Sequence, residues 1–355
     1  MITRDYKTFR YLLIAFILIF QINCSETPDT PFLASDQNID SIQLAEAYVL
    51  AGQIDGMKSL LVERNGVIVA ENYFNGDGPE DLHDVRSVTK SFSSALIGIA
   101  IDKGYIESVD NTIADYLGSV IENLDEERGA ITIRQLLTMS CGLEWREIGD
   151  YSEFNAWVTS PDQINYILAK PFVTTPGTVF NYSDGAAHLI SVVLEEASGM
   201  SAQEFSYEYL FKPLEIEPRP WLSDNRGYNY GGVGLFVSPR DMIKLGRLYL
   251  EEGKFKGQDV IPAEWIRTST QNHIHTNNAV PYGPNYGYFW WVTEVRSYNA
   301  YFANGYGGQF IFNVPDLNLV VVATCNWRNT GGQADTNWYN IISLIVNNII
   351  PAVHE

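Results

Sequence analysis

HDVRSVTKSFSSALIGIAIDKG, residues 83–104, carries the period of an amphipathic helix: Ala95, Leu96, Ile99 and Ala100 fall on one face, and Gly104 stands where a helix ends. The spacing predicts a helix from near Ser87 to about Lys103. Ser87 and Lys90, three residues apart, share a face at its start, where unpaired backbone N–H groups and a partial positive charge gather. A serine there has its N–H available to a developing oxyanion. A lysine one turn further, once desolvated, gives up its proton more readily and serves as a general base toward the hydroxyl. The plain alternative is a serine cap followed by an exposed lysine, and Ser-x-x-Lys alone does not decide between them. SVTK is, however, the only such spacing in the 355 residues.

Working outward, Ile39–Ala51 has a helical period with Ile42, Ala45, Val49 and Leu50 on one face. KSLLVERNGVIVAENYF pairs two apolar runs about Asn65-Gly66, a hairpin signal. From Ile106 to about Gln271 the pattern is mostly helical with long loops: TIRQLLTMSCG, SPDQINYILAK and AAHLISVVLEEASG each have a helix period and a stop. SPRDMIKLGRLYLEEG is the clearest, with Ser238 as N-cap, Pro239 and Asp241 in the first turn and Gly253 as terminator. Then YGYFWWVTEV, AYFANG, GQFIFNVP and NLVVVATCN are short and rich in β-branched and aromatic residues, as strands are. A last helix is expected over about Asp335–Asn348, and HIH at 273–275 is expected in a polar loop. Strand-rich segments at both ends predict an α+β fold. One antiparallel sheet is built from both chain ends and flanked by helices; a mostly helical inserted lobe faces it across the active site. The expected boundaries are about 39–105 and 285–350 for the α/β lobe and about 106–284 for the helical lobe.

The apolar share of 46% and aromatic share of 13% are those of a folded globular chain. A net charge of −20 argues against a nucleic-acid partner. The N-terminus stands apart: Arg4, Lys7 and Arg10 precede YLLIAFILIFQI (11–22), an apolar run closer in length to a signal-peptide core than to a membrane span. Cys24 follows, which resembles a bacterial lipoprotein signal with Cys24 as the lipidated residue; QIN departs from the usual small residue before the cysteine. A simple secretory signal or an uncleaved anchor are the alternatives. The expectation is a signal segment over 1–24, a linker over 25–38, and an exported, periplasmic or membrane-anchored lipoprotein. Cys141 and Cys325 sit in apolar surroundings and are expected as buried thiols, with a disulfide between them an open alternative. The five histidines are scattered, so no metal site and no cofactor are expected.

SVTK is followed by YSD at 182–184, in TTPGTVFNYSDGAAHL, and by YFANGYGGQFIF, where Gly305, Tyr306, Gly307 and Gly308 lead into a strand. In this order the motifs resemble those of the serine β-lactamase and penicillin-binding-protein superfamily: Ser-x-x-Lys, then Tyr-x-Asn, then Lys/His-Thr-Gly. LLTMSCGL, PGTVFNYS, GVGLFVSPRDMIKLGRLYLEEG and YGYFWWV extend the resemblance over roughly Leu60–Asn348. It looks closest to the class C-like branch with its esterases and 6-aminohexanoate-dimer hydrolases. The resemblance implies a β-lactamase-like fold and a serine hydrolase that cleaves a small-molecule ester or amide without metal or cofactor. Ser87 would form the acyl-enzyme, and Lys90 and Tyr182 would share the base role. The oxyanion hole would be the backbone N–H groups of Ser87 and Gly308. Asp184, Tyr306, Gly307, Arg328 and Trp145 are candidates for binding or tuning; Tyr182 also has a plainer role as a core aromatic.

Two departures from the pattern bear on substrate. Gly305 stands where the family often has a cation that holds a substrate carboxylate, which places an esterase or amide hydrolase ahead of a β-lactamase or D-amino-acid peptidase; Arg328 could supply the charge instead. Asp184 stands where asparagine is usual. Ionised, it only accepts hydrogen bonds, so it could hold Lys90 protonated and shift the base role toward Tyr182, or bind a substrate amine. Among Trp145, Trp157, Tyr286, Tyr288, Trp290 and Trp291, at least half are expected in the core and the rest along a cleft. No Gly-x-Ser-x-Gly elbow occurs. The rival of a different class is a non-catalytic, penicillin-recognising cell-wall-binding protein.

Overall fold

Asn65 and Gly66 both take positive φ, 53° and 76°, the turn geometry that suits the right-handed twist of two hairpin strands. Met57–Arg64 (β1) and Val67–Tyr73 (β2) therefore fold back on one another. The computed structural model describes residues 34–122, 124–329 and 332–354. The expected signal segment, Cys24 and most of the expected linker lie outside the described residues. The other strands of the main sheet come late in the chain. They are Ile274–Val280 (β3), Gly283–Tyr286 (β4), Trp291–Val295 (β5), Tyr298–Gly305 (β6), Gln309–Val314 (β7) and Leu319–Cys325 (β8). The order is β2-β1-β8-β7-β6-β5-β4-β3, antiparallel throughout. Pairing of β1 with β8, in register Leu60↔Ala323 and Val62↔Val321, joins the two ends of the chain, as expected. His275 lies in β3, paired with Asn285 of β4, so HIH enters a strand rather than a loop.

Neighbouring residues of a strand face opposite sides, and Glu63 and Arg64 show what covers each. Glu63 accepts from Arg247 Nε at 2.7 Å, on the helix Pro239–Leu250. Arg64 donates to the carbonyls of Asn38 and His354 at 2.9 and 2.7 Å, near the two ends of the described chain. Five longer helices matter here: Ser41–Ala51 (α1), Thr89–Asp102 (α2), Asp184–Ser198 (α3), Pro239–Leu250 (α4) and Gln333–Leu344 (α5). α4 starts as its sequence dictates: Ser238 caps the Asp241 N–H, Asp241 caps back, and Pro239 occupies the first turn. It falls within the stretch expected to form the helical lobe, yet it packs on β1, β7 and β8, and β3 begins before residue 285. The stretch expected to form the helical lobe therefore contributes to the sheet layer.

α1 buries Leu44, Ala47, Tyr48 and Ala51. The stripe expected inside, Ile42, Val49 and Leu50, faces outward, with Ile42 71% exposed. The competing period wins because Tyr48 reaches the sheet, its hydroxyl donating to the Leu60 carbonyl at 3.1 Å. α2 departs from expectation in a more useful way. It is buried on every side from Thr89 to Ala100, packed between α3 and β6, so it is a central helix rather than an amphipathic one. Its polar residues find internal partners: Ser91 donates to the Phe289 carbonyl and Ser93 to that of Gly231, both at 2.7 Å. A 3-10 turn, Arg86–Val88, precedes it, so Ser87 lies in that turn and the α-helix proper begins at Thr89. Cys141 and Cys325 are free, buried thiols.

Candidate active site

Arg86 takes φ of 51°, a left-handed conformation that is costly for a side-chain-bearing residue. It turns the chain sharply into the 3-10 turn and places Ser87 on a cavity wall at the head of α2. One helical turn on, Lys90 is 1% exposed. Its Nζ lies 3.0 Å from Ser87 Oγ and donates to the Gly232 carbonyl at 3.1 Å and to the Asp184 carboxylate. A Cβ on Gly232 would stand 2.5 Å from Asp184 Oδ1, so only glycine lets that carbonyl come so close. Lys90 is thus the tethered, desolvated lysine of the functional reading, and not an exposed one.

Ser183 caps α3 by accepting from the Ala186 N–H at 3.0 Å. This cap makes Asp184 the first helical residue and fixes Tyr182 just outside. The Tyr182 ring lies 4.7 Å from Lys90 Nζ and stacks on Trp291 at 5.9 Å. Burial, reinforced by the Asp184 and Glu147 carboxylates, raises the phenol well above its ordinary value. The structure brings Ser87, Lys90, Tyr182 and Asp184 together, as the ordered motifs implied.

Sequence reasoning missed Glu147. It is buried, and its Oε2 accepts from the Trp145 indole at 2.7 Å and from the Asp184 backbone N–H at 2.9 Å. Burial first, and then the Asp184 carboxylate, push its carboxyl well above the usual range, against the pull of Lys90. Trp145, expected along the cleft, is buried behind Glu147 and orients it; it does not line the cavity. Trp157, Trp290 and Tyr288 are core residues as well, and of the six aromatics only Trp291 reaches the cavity wall among the described residues.

The cavity has a volume of about 780 Å³. Tyr306, Gly307 and Arg328 line it, as expected, together with Arg86, Tyr151, Phe154, Asn304, Trp327 and Asp335, which sequence reasoning did not single out. Arg86 and Arg328 lie over the Trp327 ring at 4.4 and 4.7 Å. Tyr151 packs edge-on against Tyr306 at 4.8 Å. Gly308 is a correction. Its N–H donates to the Gly305 carbonyl at 3.2 Å, closing the β6–β7 turn, and a Cβ there would face Ile341 and Cys325, away from the cavity. A Cβ at Gly305 would lie 2.4 Å from the Val85 carbonyl, so the residue is glycine because β6 packs directly on the segment entering the Ser87 turn. The glycine thus has a packing reason of its own, and the cations on the cavity wall are Arg86 and Arg328.

With this geometry in place, the comparisons with known proteins agree. The Beta-lactamase family model matches residues 42–345. A 6-aminohexanoate-dimer hydrolase of Paenarthrobacter ureafaciens is 23% identical over 321 residues, spanning 83% of this chain and 78% of that protein. Among solved structures, EstCE1, a hydrolase with promiscuous acyltransferase activity, superposes with a TM-score of 0.68 at 18% identity, over 86% of this chain and 99% of its own. The octameric penicillin-binding protein homologue from Pyrococcus abyssi does so with a TM-score of 0.63 at 18% identity, over 85% of this chain and 75% of its own. The ordered Ser87, Lys90 and Tyr182 constellation on an antiparallel sheet shared by both chain ends, and a family match over most of the described residues, lead to one conclusion: the chain belongs to the Beta-lactamase family of serine hydrolases.

Proposed function

We propose that the protein hydrolyses a small ester or amide through an acyl intermediate on Ser87. The observation that carries this reading is the 3.0 Å contact between Ser87 Oγ and Lys90 Nζ on the wall of a roomy, partly aromatic cavity. As Ser87 attacks the carbonyl carbon, its proton needs an acceptor. Lys90 Nζ, in hydrogen-bond reach of the hydroxyl, is the nearest group to take it. The Tyr182 phenol, held neutral by its raised pKa, passes a proton to the leaving group and recovers one from Lys90 or from the incoming water. Ser87 N–H is one oxyanion donor. The backbone N–H of Tyr306, which follows β6 on the cavity wall and makes no turn hydrogen bond among the described residues, is the second in place of Gly308.

Export with a lipid on Cys24 belongs to the same reading, supported by the basic, apolar and cysteine segments of the N-terminus; mass spectrometry of the detergent-extracted N-terminal peptide tests it. For the chemistry, a fluorophosphonate probe should add covalently at Ser87 and at no other serine. Failure to label, with no turnover of any ester or amide offered, would leave a binding protein on this scaffold.

A further inference from the structure

A buried couple behind the catalytic wall has no part in the chemistry so far. His188, one turn after Asp184 on α3, and Asp224 both have wholly buried side chains, with His188 Nε2 2.9 Å from Asp224 Oδ2. His188 Nδ1 is buried and meets no partner among the described residues, so Nε2 carries the hydrogen and donates it to the carboxylate. The rings of Trp157 and Tyr230, at 5.7 and 5.3 Å, keep the imidazole in place. The other Asp224 oxygen accepts from the backbone N–H groups of Arg226 and Tyr228, both at 2.9 Å. Asp224 thereby fixes the tip of an irregular hairpin over residues 221–235, whose limbs meet at Trp221 and Leu235 and at Ser223 and Asn229.

The return limb of that hairpin runs against α2 and α3. A Cβ on Gly231 would stand 2.1 Å from the Ala187 carbonyl on α3. The Gly231 carbonyl accepts from Ser93 Oγ at 2.7 Å, and the Gly232 carbonyl from Lys90 Nζ at 3.1 Å. Two glycines have no side chains with which to anchor themselves, so the limb takes its place from its ends. Downstream, Phe236–Val237 pairs with His83–Asp84. Upstream, Ser191 donates to the Asn229 carbonyl and His188 to Asp224. We propose that His188 and Asp224 are positioning residues for acylation of Ser87: their bond sets the limb so that the Gly232 carbonyl meets Lys90. The proposal rests on the acyl-Ser87 reading.

The test is steady-state kinetics across pH with a 4-nitrophenyl acyl ester, on the full chain, for His188→Leu, His188→Gln and Asp224→Asn. His188→Leu removes the donor, and Asp224→Asn cannot serve His188 and both backbone N–H groups with its single oxygen. Each should lower kcat about 10- to 100-fold with KM within about twofold, the scale of a slightly misplaced catalytic group. The Gly232 carbonyl favours the ammonium form of Lys90, so the acid limb of the kcat/KM profile should also move to lower pH. Asp184, Glu147 and Tyr182, which also bear on Lys90, are unchanged in these variants. His188→Gln, whose amide donates from nearly the same place, should restore kcat to within about threefold of wild type. Wild-type kcat and an unmoved acid limb in folded His188→Leu or Asp224→Asn overturn the proposal, as does a His188→Gln protein no better than His188→Leu. His188→Leu strands a buried carboxylate; if that chain does not fold, Asp224→Asn and His188→Gln decide alone. If the wild-type protein turns over no ester or amide and Ser87 takes no fluorophosphonate, the acyl-serine reading has failed, and the positioning role falls with it.

Discussion

Two carboxylates and one ammonium share the wall behind Ser87, and their order decides what each does. Asp184 pairs with Lys90, while Glu147 has no cation of its own and is tied to Asp184 through the backbone N–H. Asp184 also raises the Tyr182 phenol. Asp184→Asn should therefore lower the Tyr182 pKa, and the alkaline limb of the kcat/KM profile should move to lower pH; an unchanged limb would remove Tyr182 from the titrating machinery. Glu147 carries a separate consequence. An acid whose pKa is raised in the folded state binds its proton more tightly there than in the unfolded chain. Its contribution to stability is thus fully present below the ordinary glutamate range and is lost as pH rises through the folded value. Glu147→Gln, which keeps an acceptor for Trp145 and Asp184, should melt higher than wild type at pH 7, and the difference should shrink toward pH 4.

At the scale of elements, the motifs were legible because each sits at a helix or strand boundary with a strong local signal. The Ser183 cap fixes YSD at the start of α3, and the Ser238–Asp241 capping box fixes α4. What stayed illegible was contact across elements. Nothing local in LEWREIGDYSEF shows that Glu147 will be buried against Asp184, or that Trp145 will stand behind it. The aromatic-rich strands likewise did not reveal which rings face the cavity. Two apolar stripes coexist on α1, and only docking on β1 chooses between them. Gly305 has a role that the local pattern does not show: β6 approaches the Val85 carbonyl there, 220 residues earlier in the chain. Gly305→Ala should cost about 1–3 kcal/mol by overpacking and should lose more activity than stability, since the displaced segment leads into Ser87. Urea unfolding and ester turnover on the same preparation would show it.

Over the whole molecule, the two chain ends meet in one sheet, and the inserted stretch is fastened back to it by α4. The Arg247–Glu63 pair is one such fastening, with Glu63 2% exposed and its carboxyl raised chiefly by burial. Arg247→Ala would strand a buried acid and should destabilise the fold by about 3 kcal/mol, with Glu63→Gln in the same chain recovering part of the loss; thermal melts of the single and double variants decide it. The fold class, the shared sheet and the candidate trio of Ser87, Lys90 and Tyr182 follow from sequence order, and the cavity that joins them required the structure. The central claim is that this assembly exists to acylate Ser87. The most direct measurement is a pre-steady-state time course with a chromogenic short-chain acyl ester, comparing the wild-type protein with Ser87→Ala. A burst or steady turnover in the wild type that is abolished in the variant is the predicted result; equal rates in the two would contradict the account.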